Sequence, residues 1–323
     1  MTQALSSPLP LPEIDLPIQA NASLANLTTF RVGGKAEWLA SPHSVEEIQA
    51  CYAWASDQGL PVMLIGAGSN LLISDRGLSG LILSTRHLRQ QTLEPTGRLC
   101  VEAGKPLPRL AWQVARRGWS GLEWAVGIPG TVGGAVVMNA GAHGGCMADS
   151  LVEAHVISQS GRLQILTKDD LKYGYRTSIL QQSPQVLVRA VLQLMPGQSP
   201  AEISALTQSH LDHRLQTQPY DHPSCGSVFR NPQPQTAGWL IEQTGLKGHQ
   251  IGGAQVSEKH ANFILNRGHA TAQDIHTLIY EIQARVQARW GVLLHPEVKM
   301  LGIFDAVTED GLDTGTVTGT VTS

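Results

Sequence analysis

The sequence is poor in charge and in cysteine, and each shortage excludes a class of function. Charged residues are 15% of the 323 and the formal net charge is -3, so no basic surface argues for nucleic acid. The four cysteines, Cys51, Cys100, Cys146 and Cys225, lie far apart and read as free thiols in a reducing compartment. No set of His, Cys and Asp has ligand spacing, so no metal is expected. No apolar run approaches bilayer-spanning length, and the opening MTQALSSPLPLPEIDLP lacks the basic start and apolar core of a secretory signal. The expectation is a cytoplasmic monomer that acts on a small molecule, with neither a membrane nor a nucleic acid as partner.

Glycine, by contrast, is concentrated. The stretch GLEWAVGIPGTVGGAVVMNAGAHGG, Gly121 to Gly145, holds eight glycines and no Lys or Arg. Each glycine forfeits side-chain burial and raises the entropic cost of ordering the backbone, so a ligand approaching that backbone is the reason to keep them. A second glycine loop, Gly66-Ala67-Gly68-Ser69-Asn70, follows a buried strand over 61–65. A Rossmann loop must lead from a strand into a helix, yet Leu71, Leu72 and Ile73 resume an extended pattern, and Leu71 stands where the third glycine belongs. The loop can still take phosphate as a nest of backbone amides, with Ser69 and Asn70 adding side-chain donors.

Residues 1–20, rich in proline and without a clear period, are expected to form a poorly ordered leader, and 307–323, low in complexity, a disordered tail. Ser44 with Glu47 forms a capping box that opens a helix ended by Gly59. A strand pair is expected around Leu81 and Leu99 to Val101, then a helix from about Pro106 closed by Gly118. Strand patterns recur at 151–157, 163–166 and 186–194, with Tyr173-Gly174-Tyr175-Arg176 before the last. Pro200 starts a helix carrying His210 and Arg214 and is the candidate start of a second functional unit. A helix over 236–244, an extended run over 255–266 and a long helix capped by Thr271 follow, and His295-Pro296-Glu297 lies near the end. The resulting division is 21–84, 85–197 and 198–306, in an α+β class.

Two glycine loops about sixty residues apart suit a long cofactor lying across a domain junction, and a flavin dinucleotide outside the Rossmann class has that reach. The segments NLTTFRVGGKAEWL, GAGSNLLI, GIPGTVGGAVVMNAGAHG, YRTS, GSVFRNP, AGWLIEQTGLKGHQIGGAQVSEKHANFILN and HPEVK together resemble the UDP-N-acetylenolpyruvoylglucosamine reductases over roughly residues 26–302. The resemblance implies an FAD-binding domain of the vanillyl-alcohol oxidase (PCMH) type in two subdomains, plus a C-terminal α+β substrate domain. It also implies non-covalent FAD, NADPH as electron donor, and reduction of an enolpyruvyl sugar nucleotide to UDP-N-acetylmuramate for peptidoglycan. The short spacing from Arg176 to Pro184 resembles the family's second type, which lacks an inserted tyrosine loop. Cofactor contacts are implied for Gly66, Ala67, Gly68, Ser69, Asn70 and Leu71, for Gly127, Ile128, Pro129, Gly130, Thr131, Gly133, Gly134, Ala135 and Asn139, and for Val188.

The same resemblance implies three catalytic residues, and the chemistry suits each. Hydride addition to the enolpyruvyl terminal carbon pushes charge into the attached carboxylate, which calls for a fixed guanidinium at Arg176. Ser227 is implied as the proton donor to the other carbon, presented tightly because Gly226 precedes it. Glu297 would position the acid end, with Arg176 between the two carboxylates or with Glu297 protonated. Asn231 and His260 are implied for the substrate. The family's lysine is replaced by Thr217, so either Arg214 or Lys247 is expected to compensate or phosphate binding is expected to be weaker. Two rivals stand beside this reading: a flavin oxidase of the same fold, disfavoured because 66–73 holds no histidine to tether FAD, and a non-catalytic sugar-nucleotide-binding module.

Overall fold

The computed structural model describes residues 9–11 and 14–307, and the tail expected from Val307 lies outside them from residue 308 onward. The first layer is a sheet of β1 (Leu9–Leu11), β2 (Ile14–Ser23), β3 (Lys35–Ala40), β4 (Val62–Ile65) and β6 (Leu78–Ser84), in the order β1-β2-β3-β6-β4. Helix α1 (Val45–Asp57) begins as expected, with the Ser44 hydroxyl accepting from the Glu47 N–H at 3.2 Å. Between the last two strands of the layer, β5 (Leu71–Ile73) confirms that the first glycine loop leads to a strand and not to a helix.

The expected leader is corrected here, because residues 14–20 belong to β2, which pairs antiparallel with both β1 and β3. Leu16 and Ile18 are buried, so apolar residues alternate toward the core. Pro17 sits opposite Pro10 on the short outer strand. Pro10 on the outer strand and Pro17 on its neighbour disguise these strands as a poorly ordered leader.

The second layer holds β7 (Gln91–Leu93), β8 (Arg98–Glu102), β11 (Leu151–Ile157), β12 (Leu163–Thr167) and β13 (Val186–Gln193), in the order β12-β11-β13-β8-β7. The strand pair expected between Leu81 and Leu99 is therefore not formed, since β6 and β8 lie in different sheets. Helices α2 (Leu107–Ala115), α3 (Val132–Met138) and α4 (Met147–Ser150) and the two-residue strands β9 (Gly141–Ala142) and β10 (Gly145–Cys146) complete this layer. Its core gathers Leu99, Leu110, Trp124, Val136, Leu151 and Leu192.

The C-terminal unit contains α6 (Ala237–Gln243), β14 (Gln250–Ile251), β15 (Ala254–Val256), β16 (Ile264–Asn266), α7 (Ala272–Trp290) and β17 (Lys299–Leu301). Thr271 caps α7, whose Ile275, Leu278, Ile279, Ile282 and Val286 are buried. Two features depart from a boundary at residue 198. Helix α5 (Pro200–Thr217) packs Leu211 on the middle core, and the C-terminal core takes in Phe30, Val32 and Leu72 from early in the chain. Strand β17 also pairs in parallel with β5, Lys299 opposite Leu71, so the last strand joins the two ends of the chain beside the first glycine loop.

Candidate active site

The two glycine loops face one another. A Cβ at Gly66 would stand 2.8 Å from the Thr131 hydroxyl, and one at Gly130 would stand 3.0 Å from that of Ser69. The gap between the loops is thus one that side chains would fill. Among the described residues, no acceptor takes the backbone N–H of Ala67, Gly68, Ser69 or Asn70, nor that of Gly130 or Thr131. Donors so arranged suit an anionic, elongated ligand, and a dinucleotide diphosphate fits them.

Arg86, which nothing in the sequence singled out, sets the direction of those donors. Its guanidinium donates to the carbonyls of Gly66 and Ala67 at 3.0 Å each, and to those of Leu27 and Asn26 at 2.8 and 3.2 Å. Holding the loop by its carbonyls leaves its amides free. Gly68, at φ +64°, lies so close to the Leu27 carbonyl that a Cβ would overlap it at 2.0 Å.

Several residues expected at the cofactor also have structural work. Gly133 is buried in α3 with its N–H on the Ala103 carbonyl, and a Cβ there would meet that of Ala103 at 2.9 Å. Gly133→Val should therefore cost fold first, by about 1–3 kcal/mol of overpacking, a fall in the thermal midpoint measurable on the FAD-free protein. Ala135 and Val188 are core residues, and Leu71 pairs with β17. Asn139 ends α3 in the left-handed conformation, its amide donating to the Gly174 carbonyl at 3.0 Å and its oxygen accepting from the Ala148 N–H at 3.0 Å. Ile128 and Pro129 lie in the second loop itself, half-buried and exposed, while Gly134 is exposed at the start of α3. Gly127 lies under α5, where the Tyr220 hydroxyl donates to its carbonyl at 3.0 Å.

Asn139 thereby links the glycine stretch to Arg176. Carbonyls at the end of α3 are also taken by the turn that carries Arg176: Tyr173 Oη donates to Val136, which already accepts from the Asn139 N–H, at 3.0 Å, and Ser178 Oγ donates to Val137 at 2.6 Å. Arg176 sits at φ +57°, a sparsely populated conformation for a branched or long side chain, held by the Gln181 amide on its carbonyl at 2.9 Å. Its Nη2 donates to the Gly141 carbonyl at 2.7 Å and its Nε meets Glu297 Oε1 at 3.2 Å.

Glu297 and Ser227 are brought together by the backbone. The N–H of Glu297 donates to the Val228 carbonyl at 2.7 Å, and Phe229 bridges to Pro296, so Ser227 lies just beyond this pairing. Gly226, at φ +83°, has open space around it, and the Ser227 hydroxyl takes part in no hydrogen bond among the described residues. The Asn70 amide donates to the Glu297 carbonyl at 3.1 Å, which ties the first glycine loop to the segment that carries Glu297. Burial pushes the Glu297 carboxyl above its ordinary value, opposed by Arg176 first and then by Arg230 and Lys299. Arg230 was not anticipated. Its buried Nε has no partner among the described residues, and its charge acts on Glu297.

A cavity of about 730 Å³ opens between the β9–β10 hairpin, α5 and the turn at 257–260, lined in part by Arg214, Thr217, Lys259 and His260, and it reaches Ala142, the neighbour of the Gly141 that Arg176 contacts. Lys247, offered as compensation for Thr217, is paired with Glu242 at 2.8 Å and does not line it. Asn231 does not line it either, since its side-chain oxygen accepts from the Ala237 N–H at the start of α6.

A fold with paired glycine loops that fit a flavin dinucleotide, and a guanidinium–carboxylate–serine centre next to them, defines an FAD-dependent oxidoreductase. The model of an FAD-binding domain matches residues 36–167, and that of the UDP-N-acetylenolpyruvoylglucosamine reductase C-terminal domain matches 218–301. A UDP-N-acetylenolpyruvoylglucosamine reductase of Acaryochloris marina is 61% identical over 95% of this chain and 100% of its own length. One of Trichormus variabilis is 58% identical over 92% of this chain and 90% of its own length. The crystal structure of such a reductase from Thermus caldophilus superposes with a TM-score of 0.76 at 35% identity, covering 89% of this chain and 100% of that one. The chain belongs to the UDP-N-acetylenolpyruvoylglucosamine reductase family.

Proposed function

We propose that this protein reduces the enolpyruvyl group of UDP-N-acetylenolpyruvoylglucosamine to give UDP-N-acetylmuramate, drawing electrons from NADPH through bound FAD, as a cytosolic monomer. Adjacency of the Arg176–Glu297 pair to Ser227, next to facing glycine loops, is the observation that carries the reading. The amides of 67–70, Gly130 and Thr131 would hold the cofactor's diphosphate. FAD held there would supply hydride transfer from NADPH to the terminal carbon of the enolpyruvyl group.

The residues of the chain account for the rest. Arg176, fixed through Gly141 and Glu297, offers a planar cation to the substrate carboxylate as negative charge builds there. Ser227, unencumbered by other hydrogen bonds, gives its proton to the second carbon of the enolpyruvyl group. Glu297 fixes Arg176 and, being easier to protonate than an ordinary carboxyl, adds less repulsion to the substrate acid than a solvated glutamate would. The turn holding Arg176 carries no inserted tyrosine loop, in keeping with the family's second type.

The visible spectrum of the purified protein tests the reading. NADPH should bleach the flavin band under anaerobic conditions, and the enolpyruvyl sugar nucleotide should restore it. Restoration by oxygen alone would favour the oxidase reading, and a colourless protein that takes up no FAD the binding module.

A further inference from the structure

The cavity between the β9–β10 hairpin and α5 is cationic and unneutralised. It is lined by His143, His213, Arg214, Thr217, Lys259 and His260, among other residues, with no Asp or Glu. Arg214 donates only to the Tyr220 hydroxyl, at 3.2 Å, and Lys259 Nζ only to the Leu215 carbonyl, at 2.7 Å. Neither forms an ion pair among the described residues, whereas Lys247 nearby does. Two permanent cations turned to neutral acceptors retain their full charge for a ligand. The turn that presents Lys259 is built for the purpose: the Ser257 hydroxyl accepts from the N–H of Lys259 at 3.1 Å and from that of His260 at 3.3 Å.

His143 faces this pair from the β9–β10 hairpin. Its ring lies flat on His210 at 4.2 Å and edge-on to His213 at 5.6 Å. We propose that Lys259, with Arg214 and His143, clamps the diphosphate of the sugar nucleotide, so that the cation lacking at position 217 is supplied from across the cavity. This rests on the reading of the function given above.

The clamp has a protonic signature. Burial first, then His210, Arg214 and His213, hold His143 below its ordinary value, which favours the neutral ring when no anion is present. Lys259 and His260 stand across the cavity, and no carboxylate lines it to offset them. A bound diphosphate reverses this balance, and His143 takes up a proton as the anion enters.

Calorimetric titration of the FAD-loaded protein with UDP tests the proposal. Lys259→Met should weaken UDP about tenfold or more, the loss expected for a charge-assisted contact. Uridine, which has no phosphate, should bind the variant and parent alike. Because Thr217 lines the same cavity, adding Thr217→Lys to Lys259→Met should recover most of the lost affinity. In buffers of different ionisation heat the parent should show net proton uptake, and His143→Asn should abolish it. Asparagine tolerates the φ of +51° at that position. UDP affinity unchanged in Lys259→Met would overturn the clamp. A parent that binds UDP in this manner yet never reoxidises with the enolpyruvyl substrate would leave the clamp standing and remove the functional reading. Normal turnover with a KM indifferent to Lys259 would do the reverse.

Discussion

Ser227→Ala protein is expected to be reduced by NADPH at the parent rate and then to stall, with the enolpyruvyl substrate restoring the flavin band about 10²- to 10⁴-fold more slowly. The argument starts from position: Val228 is locked to Glu297 by a 2.7 Å hydrogen bond, which fixes Ser227 one residue away, and its hydroxyl is not otherwise engaged. A serine hydroxyl is a weak acid. It can deliver a proton only where a strongly basic carbon is held within hydrogen-bond reach, so its removal should leave the electron-accepting half of the cycle untouched. Gly226 has open space around it and Ser227 is only half-buried, so the alanine should not perturb the fold. Stopped-flow measurement of the two half-reactions separates these expectations. Substrate-driven reoxidation at the parent rate would remove Ser227 from the chemistry.

What could be read in advance divides along physical lines. Caps and local periods were legible, because Ser44 and Thr271 satisfy amides in their own first turns and α7 shows its buried face in the spacing of its apolar residues. The first glycine loop was legible as non-Rossmann because Leu71, Leu72 and Ile73 carry a strand pattern. Strand β2 was missed because Pro17, between Leu16 and Ile18, masks their alternation. Arg86 and Lys259 were invisible for another reason. Each acts on carbonyls or a cavity far away in sequence, and no local pattern marks an arginine that will hold a loop 20 residues earlier. The resemblance implies a cofactor contact for Asn139, and what no local pattern shows is that its side chain ties the glycine-rich run to Gly174 and Ala148. Sequence marks the stretch by its glycines, and only packing shows which of its residues are engaged within the fold and which keep unpaired amides.

Arg176→Met should slow substrate-driven reoxidation about 10²- to 10³-fold, the range found when one donor to a developing oxyanion is removed. It should also shift a titration. Glu297 is already above its ordinary value of 4.5, because burial outweighs the cations around it, of which Arg176 acts most strongly. The folded protein therefore binds the Glu297 proton more tightly than the unfolded chain does. The stability tied to this group is retained at low pH and declines as pH rises from 4.5 through the folded value. Without the guanidinium the folded value climbs further, so the decline extends to higher pH. Midpoints of thermal unfolding measured across pH should separate parent from variant increasingly toward neutrality and converge in acid. Arg176→Lys should recover only part of the rate, since one ammonium on a flexible stem cannot reproduce the fork that meets the Gly141 carbonyl at 2.7 Å and Glu297 at 3.2 Å together. A methionine variant that reoxidises within a few-fold of the parent, with superimposable pH profiles, would show that Arg176 only supports the turn and that Arg230 carries the charge on the substrate acid.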